Sequence, residues 1–168
     1  MSEKIYLSLG SNIGDREANL AGAITILGNY QENSELRSAS FFSSEPLFNT
    51  DQPVFLNTVV ELTTTFTPFE FLDEIKNIER LLGRPNKHEK NAPRTIDIDI
   101  LIFGESFLET AELTIPHPGI PYRRFVLVPL NELVPNYIIP GWNISIKRLL
   151  NRCTDQSKVL KHTMESNA

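Results

Sequence analysis

Hydrophobic and polar positions in the first part of the chain follow the periods of both strands and helices. An apolar run at residues 5–9, closed by the turn-forming residues 10–15, predicts a short buried strand. Apolar residues then recur at helical spacing after Asp15, a suitable N-cap, so a helix is expected there. Residues 34–43 alternate less regularly and are expected to form a second strand.

The middle of the chain gives the clearest local signals. Residues 55–65 carry apolar side chains on both faces of an extended pattern, which predicts a buried strand. Thr67, Pro68 and Glu70 then match a helix start with a capping box. Gly83 ends the apolar helical pattern that follows, so this helix is expected to finish there.

The pattern changes once more in the second half. Residues 95–103 alternate and predict another strand, whereas the chain beyond residue 110 is rich in loops and proline. Helices are expected near residues 125–133 and 145–152, and the last dozen residues are expected to be frayed. The order strand, helix, strand, strand, helix, strand indicates an α+β fold with a ferredoxin-like antiparallel sheet, packed helices and a loop-rich C-terminal extension.

Composition narrows the class of protein. A chain of 168 residues that is 40% hydrophobic is expected to form one domain over residues 1–168, with a core of its own. The single cysteine, Cys153, excludes an intramolecular disulfide and a cysteine-rich zinc site, which favours a cytoplasmic protein. No stretch approaches the roughly 20 apolar residues that span a bilayer, so no membrane partner is expected.

The charge is unevenly distributed along the chain. The net charge of −5 argues against a general nucleic-acid binder. Residues 76–94 nevertheless carry six basic and two acidic side chains, so this segment is positive within an acidic protein. Its basic side chains are either part of a solvated loop or the binding site of a smaller polyanion.

The sharpest candidate for chemistry is the pair Asp97 and Asp99, which follows the basic segment. Alternation places both carboxylates on one strand face, with Cα atoms about 6.6 Å apart. At an effective dielectric near 20, the two charges repel by roughly 2.5 kcal/mol. Such a pair suits Mg²⁺, and nearby cations suit a polyphosphate, although a solvated acidic strand face gives the same pattern.

Further candidates are weaker by themselves. Phe55 and Asn57 share a strand face, where a flat heterocycle can stack on the ring and bond the amide; core packing explains them equally. Phe125 offers a second ring or core packing. His117 lies between two prolines and either contacts a phosphate or ribose or caps a turn. Residues 10–15 match no complete phosphate-loop motif, so a plain turn is the simpler interpretation.

Several short motifs also occur in a fixed order between residue 5 and about residue 135. They are Leu7-Ser8-Leu9-Gly10-Ser11-Asn12; Asp51-Gln52-Pro53 with Phe55-Leu56-Asn57; Ile78-Glu79 with Gly83-Arg84; Pro93-Arg94-Thr95-Ile96-Asp97-Ile98-Asp99-Ile100-Leu101 with Phe103-Gly104; Leu113-Thr114-Ile115-Pro116-His117-Pro118; and Arg123-Arg124-Phe125-Val126-Leu127-Val128-Pro129-Leu130. This ordered set resembles the 6-hydroxymethyl-7,8-dihydropterin pyrophosphokinase family of folate biosynthesis.

The resemblance implies transfer of diphosphate from ATP to the hydroxymethyl group of the pterin, with release of AMP. It implies that Asp97 and Asp99 hold two Mg²⁺ ions and that Arg84 and Arg94 stabilise the transferring group. The implied pterin contacts are Ser44, Glu45, Leu47, Phe55, Asn57 and Phe125. The implied nucleotide contacts are Glu79, Arg84, Lys87, Arg94, Ile100, Thr114, His117 and Arg123. The resemblance further implies that residues 44–53 and 84–93 close over the substrates.

Three positions depart from the commoner family pattern. Asn91 stands where many members have Trp, and Glu112 stands where some have a basic nucleotide contact. Phe55 stands where others have Tyr, which keeps the stacking ring without its hydroxyl. A monomer is expected. The alternatives are a two-metal nucleotidyl transferase or cyclase on a similar scaffold, and a nucleotide or pterin sensor without turnover.

Overall fold

The structure is a computed structural model, and it describes residues 1–44, 54–83 and 95–163. The described strands are β1 (Glu3–Ser11), β2 (Asn33–Ser38), β3 (Phe42–Ser44), β4 (Phe55–Thr64), β5 (Asp97–Phe103), β6 (Leu108–Glu109), β7 (Thr114–Ile115) and β8 (Val159–Lys161). The described helices are α1 (Arg16–Asn29), α2 (Pro68–Leu81), α3 (Arg124–Leu133) and α4 (Ile146–Arg152), with a 3₁₀ turn at Ile120–Tyr122.

The main sheet is antiparallel and has strands from both ends of the chain. Its order is β5-β1-β4-β3-β8, and β2 also pairs with β4. β6 and β7 form a separate two-stranded sheet. Helices together with an antiparallel sheet confirm the predicted α+β class. None of the described helices combines the length with the apolar character that crossing a bilayer requires.

Helices cover both faces of the main sheet, because its central strands are apolar on both sides. α1 and α2 pack on one face over a cluster that includes Leu7, Leu56 and Ile98. α3 and α4 pack on the other face over a cluster that includes Tyr6 and Val59. The mixed faces expected for the strand at residues 55–65 are therefore explained by burial on two sides.

α2 forms as its sequence predicts. The Thr67 hydroxyl accepts from the Glu70 N–H, and the Glu70 carboxylate accepts from the Thr67 N–H, so the capping box is complete. Gly83 follows the helix with a φ of +98°, a conformation that side chains other than glycine rarely adopt. α1 likewise begins after Asp15, whose carboxylate accepts from the Ala18 N–H.

The single strand expected at residues 34–43 is wrong, since the structure has two strands there. β4 explains the break: Ser38 pairs with Val60 and Phe42 pairs with Asn57. The four steps from Ser38 to Phe42 lie opposite only three steps of β4, from Val60 to Asn57. The extra residue before β3 has no counterpart in the register of β4, so it interrupts the ladder. The Ala39 N–H still bonds the Val59 carbonyl oxygen at 2.9 Å, so the segment stays attached to β4 between the two strands.

The frayed C-terminus is also wrong in part. The short strand β8 pairs with β3 and extends the main sheet. The two helices expected near residues 125–133 and 145–152 are confirmed as α3 and α4, and the Ser145 hydroxyl caps α4 by accepting from the Arg148 N–H at 3.2 Å. β8 lacks a local signal because three residues gain their partners only from a distant strand.

Candidate active site

Asp97 and Asp99 lie at the start of β5, on the sheet face away from α1 and α2. Both side chains are partly buried, whereas Ile98 and Ile100 between and beyond them are in the core on the opposite face. The predicted alternation is therefore confirmed. A bulge follows, because Tyr6 pairs with Ile102 while Leu7 pairs with Ile100. The core on both faces holds the backbone that carries the two carboxylates.

Strand register places the aspartates beside the residues expected to bind the heterocycle. Gly10 of β1 lies opposite Asn57 on β4 and opposite Asp97 on β5. Ser8 lies in the same way between Val59 and Asp99. Directly paired residues share a sheet face, and adjacent strands are about 4.8 Å apart. The Cα atoms of Asn57 and Asp97 are therefore separated by roughly 10 Å across one surface.

Gly10 places no side chain on the surface between Asn57 and Asp97. A Cβ atom at this position would lie 2.8 Å from Oδ1 of Asn57 and 3.6 Å from the Phe55 ring. The sequence suggested that Gly10 begins a turn, but the structure keeps Gly10 and Ser11 within β1. The sequence does contain a signal for this close approach of the Asn57 side chain, because a glycine within a strand often marks such a site.

The Asn57 amide is held in one orientation. Asn57 and Ser44 are both buried, with 3% of each exposed, and the Asn57 side-chain NH₂ donates to the Ser44 hydroxyl in a short contact. Ser44 also pairs with Phe55 across β3 and β4. Three residues expected to contact the pterin are thus brought together.

Phe125 reaches the same sheet face from α3. It lies in the first turn of this helix, partly buried against the cluster that includes Val59. α3 contacts both β4 and β3, the strands that carry Asn57 and Ser44. The second ring therefore comes from a separate layer of the protein.

Glu79 contacts the backbone of the aspartate strand. It is buried at the end of α2, and its carboxylate accepts from the Ile98 N–H at 3.1 Å. Within the part of the chain that the structure describes, β5 pairs in the main sheet with β1 alone. The bond from Glu79 therefore satisfies an N–H group between the two aspartates that faces away from the ladder. The expected nucleotide contact of Glu79 stays a prediction.

His117 is held as a neutral ring close to Asp97 and Arg123. Its backbone N–H donates to the Leu101 carbonyl oxygen, and its Nδ1 accepts from the Gly119 N–H at 2.9 Å. Burial, together with the positive charge of Arg123, lowers the pKa of His117 to about 4, although Asp97 acts in the opposite direction. With Nδ1 accepting, the ring proton lies on Nε2, which leaves one N–H donor for other partners.

The other residues expected on the nucleotide side lie around β5 and His117. Arg123 passes over Gly119, where a Cβ atom would lie 2.7 Å from its Nε. Thr114 lies in β7, which contacts β5, and its side chain is partly exposed. The Ile100 side chain points into the core beneath α1 and α2, on the face away from the two aspartates.

Asp97 and Asp99 provide a suitable donor set for magnesium. Mg²⁺ prefers hard oxygen ligands and is commonly held by one or two carboxylates together with substrate phosphates. Among the described residues, no group of three or more His, Cys, Asp and Glu side chains is placed to hold a metal ion. A two-carboxylate site fits a metal that arrives with a polyphosphate, because phosphate oxygens supply further ligands.

Comparison with known proteins decides the family. The family model for 7,8-dihydro-6-hydroxymethylpterin-pyrophosphokinase (HPPK) matches residues 6–135. The chain belongs to the HPPK family. This confirms the resemblance found in the ordered motifs.

The names of similar proteins support the same family. The chain is 41% identical over 133 residues to 2-amino-4-hydroxy-6-hydroxymethyldihydropteridine pyrophosphokinase of Bacillus subtilis, which covers 79% of each protein. It is 36% identical to the folic acid synthesis protein FOL1 of Dictyostelium discoideum, covering 86% of this chain and 22% of that longer protein.

A solved structure shows the same fold. The crystal structure of Plasmodium falciparum HPPK-DHPS with pteroate matches 90% of this chain with a TM-score of 0.69 and 17% identity. The chain spans 42% of that longer protein. Because the identity is low, this likeness supports the architecture alone.

Some of the residues that the HPPK resemblance implicates lie outside the described residues. They are Glu45, Leu47, Arg84, Lys87 and Arg94. Asn91 and nearly all of the two segments expected to close over the substrates lie outside them too. Glu112 is described and is exposed.

Proposed function

We propose that the protein transfers diphosphate from ATP to the hydroxymethyl group of 6-hydroxymethyl-7,8-dihydropterin and releases AMP. Its family and the names of its relatives assign pyrophosphokinase activity on this pterin and a place in folate biosynthesis. The observation that carries the site assignment is the row Asn57, Gly10 and Asp97 across three strands, since it puts a heterocycle-binding amide and a metal-binding carboxylate on one surface.

The pterin would lie between two aromatic rings. Phe55 from the sheet and Phe125 from α3 supply the stacking faces, and the buried Asn57 amide reads the polar edge of the ring. The bond to Ser44 supports this assignment because it fixes which way the amide points. Glu45 and Leu47 would complete the pocket.

Asp97 and Asp99 would hold two Mg²⁺ ions at the triphosphate. Bound metal would neutralise charge on the bridging phosphate oxygens and so favour departure of AMP. Arg84 and Arg94 would stabilise charge on the transferring group. The remaining contacts on the nucleotide side would be Glu79, Lys87, Thr114, His117 and Arg123, together with the backbone of Ile100, whose side chain lies in the core.

The reaction forms one bond and breaks one bond at phosphorus. The pterin hydroxymethyl oxygen attacks the β-phosphorus of ATP and releases its proton to solvent, while the bond from this phosphorus to the oxygen shared with the α-phosphate breaks. AMP leaves with that oxygen. Neutral His117 contributes an Nε2–H donor, and it adds no positive charge that would compete with metal near Asp97.

At the level of the whole chain, we propose one domain over residues 1–168 with a ferredoxin-like sheet and a C-terminal extension. The antiparallel order β5-β1-β4 followed by β2 and β3 supports this description. A monomeric cytoplasmic enzyme without nucleic-acid or membrane partners fits the acidic net charge and the single cysteine.

The decisive experiment identifies the nucleotide product. The protein is incubated with ATP, Mg²⁺ and 6-hydroxymethyl-7,8-dihydropterin, and products are separated by ion-exchange chromatography. We expect AMP and the pterin diphosphate in equal amounts, with no AMP when Mg²⁺ is chelated. ADP would instead show single phosphoryl transfer, and inorganic diphosphate would show a nucleotidyl transferase or cyclase. Tight pterin binding without any product would show a sensor.

A further inference from the structure

The C-terminal segment from Asp155 to His162 contacts both sides of the proposed pterin pocket. It lies beyond residue 135, where the match to the family model ends. One part of it bonds the start of α3, and the other part pairs with β3. These two elements carry Phe125 and Ser44.

Asp155 caps α3 from a distance. The residue that precedes this helix, Arg123, gives no side-chain cap, and the Asp155 carboxylate accepts from the Arg124 N–H at 3.0 Å instead. Its other oxygen accepts from the Ser157 N–H at 2.9 Å and from the Ser157 hydroxyl in a short contact. The carboxylate is therefore fixed between the C-terminal segment and the first turn of α3.

The carboxylate is suited to this position electrostatically. Burial raises the pKa of Asp155, but the hydrogen bonds from Ser157 and Arg124, together with the Arg124 charge, outweigh burial and lower it. Asp155 is thus ionised at neutral pH, and an anion at a helix N-terminus is favoured by the helix dipole.

β8 supports the opposite side of the pocket. Val159 pairs with Ser44, and Ser44 pairs with Phe55, so these three residues lie in one row across three strands. The His162 N–H donates to the Phe41 carbonyl oxygen at 2.8 Å, and the His162 ring contacts the Glu17 carboxylate at 2.5 Å. The end of β8 is therefore tied both to the segment before β3 and to α1.

We infer that Asp155 is a positioning residue for pterin binding, which sets Phe125 at the start of α3 against the β3–β4 side of the pocket. This rests on the proposed function, because the roles of Phe125, Ser44 and Phe55 come from it. Asp155 touches no substrate and acts through the Arg124 backbone. The C-terminal segment thereby joins two pocket walls that belong to different layers.

The test is the variant Asp155→Ala in the full chain. Pterin affinity is measured by titration calorimetry in the presence of Mg²⁺ and a non-hydrolysable ATP analogue, and affinity for the analogue is measured separately. Loss of a helix cap of ordinary strength corresponds to about a five-fold change in an equilibrium constant. We therefore expect the pterin Kd and KM to rise about five-fold, with the kcat and the analogue Kd within about two-fold of wild type.

Two further variants separate positioning from general loss of stability. Thr67→Ala removes the cap of α2 on the other sheet face, and it is expected to leave the pterin Kd unchanged. Asp155→Asn keeps an acceptor oxygen for the Arg124 N–H and is expected to recover part of the affinity. Hydrogen exchange of the first turn of α3 should accelerate in Asp155→Ala and not in Thr67→Ala.

The outcomes are distinguishable. An unchanged pterin Kd in Asp155→Ala, or an equal rise in Thr67→Ala, overturns the inference and leaves the proposed function intact. An equal loss of pterin and nucleotide affinity also overturns it, because the effect is then general. A wild-type protein that binds no pterin and makes no AMP overturns the proposed function and, with it, this inference.

Discussion

Two residues that lie two positions apart on β5 carry the proposed metal chemistry, and neighbouring residues decide how their side chains are exposed. Ile98 and Ile100 anchor the strand in the core, while Asp97 and Asp99 remain partly exposed on the other face. Mutual repulsion of two carboxylates on a fixed backbone is relieved by a divalent cation. Removing one carboxylate should therefore affect the metal-dependent step and not the pterin pocket.

Asp97→Ala and Asp99→Ala are each expected to lower AMP formation by about 10²-fold or more, since electrostatic stabilisation of the transferring group is lost. Pterin binding without nucleotide should change little, because Asn57 and Phe55 are on another strand. Product formation and pterin titration measure the two quantities. Asp73→Ala, an exposed acid on α2, is the matched control. If pterin binding fell as far as turnover, a folding defect would explain the loss instead.

His117 makes a second prediction at the same scale. Since burial and the Arg123 charge lower its pKa to about 4, its imidazole C2 proton should titrate near pH 4 in NMR spectra of the protein without ligands. Folding favours the neutral ring, so this contribution to stability is complete above the usual pKa near 6.5. It is lost as the pH falls through about 4. A midpoint near 6.5 would contradict the buried, neutral ring.

Among the helices and strands, helix caps depend on the local sequence, whereas strand register depends on pairing with a distant strand. The capping box of α2 joins Thr67 and Glu70, three residues apart, so it is written in the local sequence. The division between β2 and β3 depends instead on an extra residue opposite β4. Local signals therefore predicted the helices correctly, whereas they missed the division between β2 and β3 and the short strand β8.

Thr67→Ala is expected to lower the free energy of unfolding by about 1 kcal/mol, because an N–H group in the first turn of α2 loses its acceptor. Urea denaturation at pH 7 measures this, and the slope of the unfolding transition should not change. Thr65→Ala removes an exposed threonine from the same connection, and it should stay within about 0.5 kcal/mol of wild type. Equal effects of the two substitutions would rule out the cap as the cause.

At the scale of the whole molecule, the buried carboxylate of Glu61 on β4 joins residues from different strands of the main sheet. The Tyr6 hydroxyl donates to Glu61 at 2.7 Å, and the Arg37 guanidinium donates to both oxygens of the same carboxylate, at 2.7 and 3.1 Å. Tyr6 also packs against Tyr137 with ring centroids 5.3 Å apart. Burial raises the pKa of Glu61, but the bonds from Arg37 and Tyr6 outweigh it and lower the pKa.

Glu61→Ala is expected to cost about 1–3 kcal/mol at pH 7, because the buried Tyr6 hydroxyl loses its acceptor. The folded-state pKa of Glu61 is lowered, so its contribution is present above the unfolded pKa near 4.3 and is lost as the pH falls below that value. Urea midpoints at several pH values should thus converge for wild type and variant in acid. Glu109→Ala, an exposed acid on β6, is the control. A constant difference at every pH would contradict the charged network.

The sequence by itself determined the caps of α1 and α2, the alternation that exposes Asp97 and Asp99, and the motifs that place the chain in its family. These features depend on residues a few positions apart, so elementary periodicity reveals them. Only the tertiary structure decided that Gly10 lies between Asn57 and Asp97, that His117 is neutral, and that Asp155 caps α3. Each of these depends on strand register or burial, which long-range packing fixes after distant segments meet.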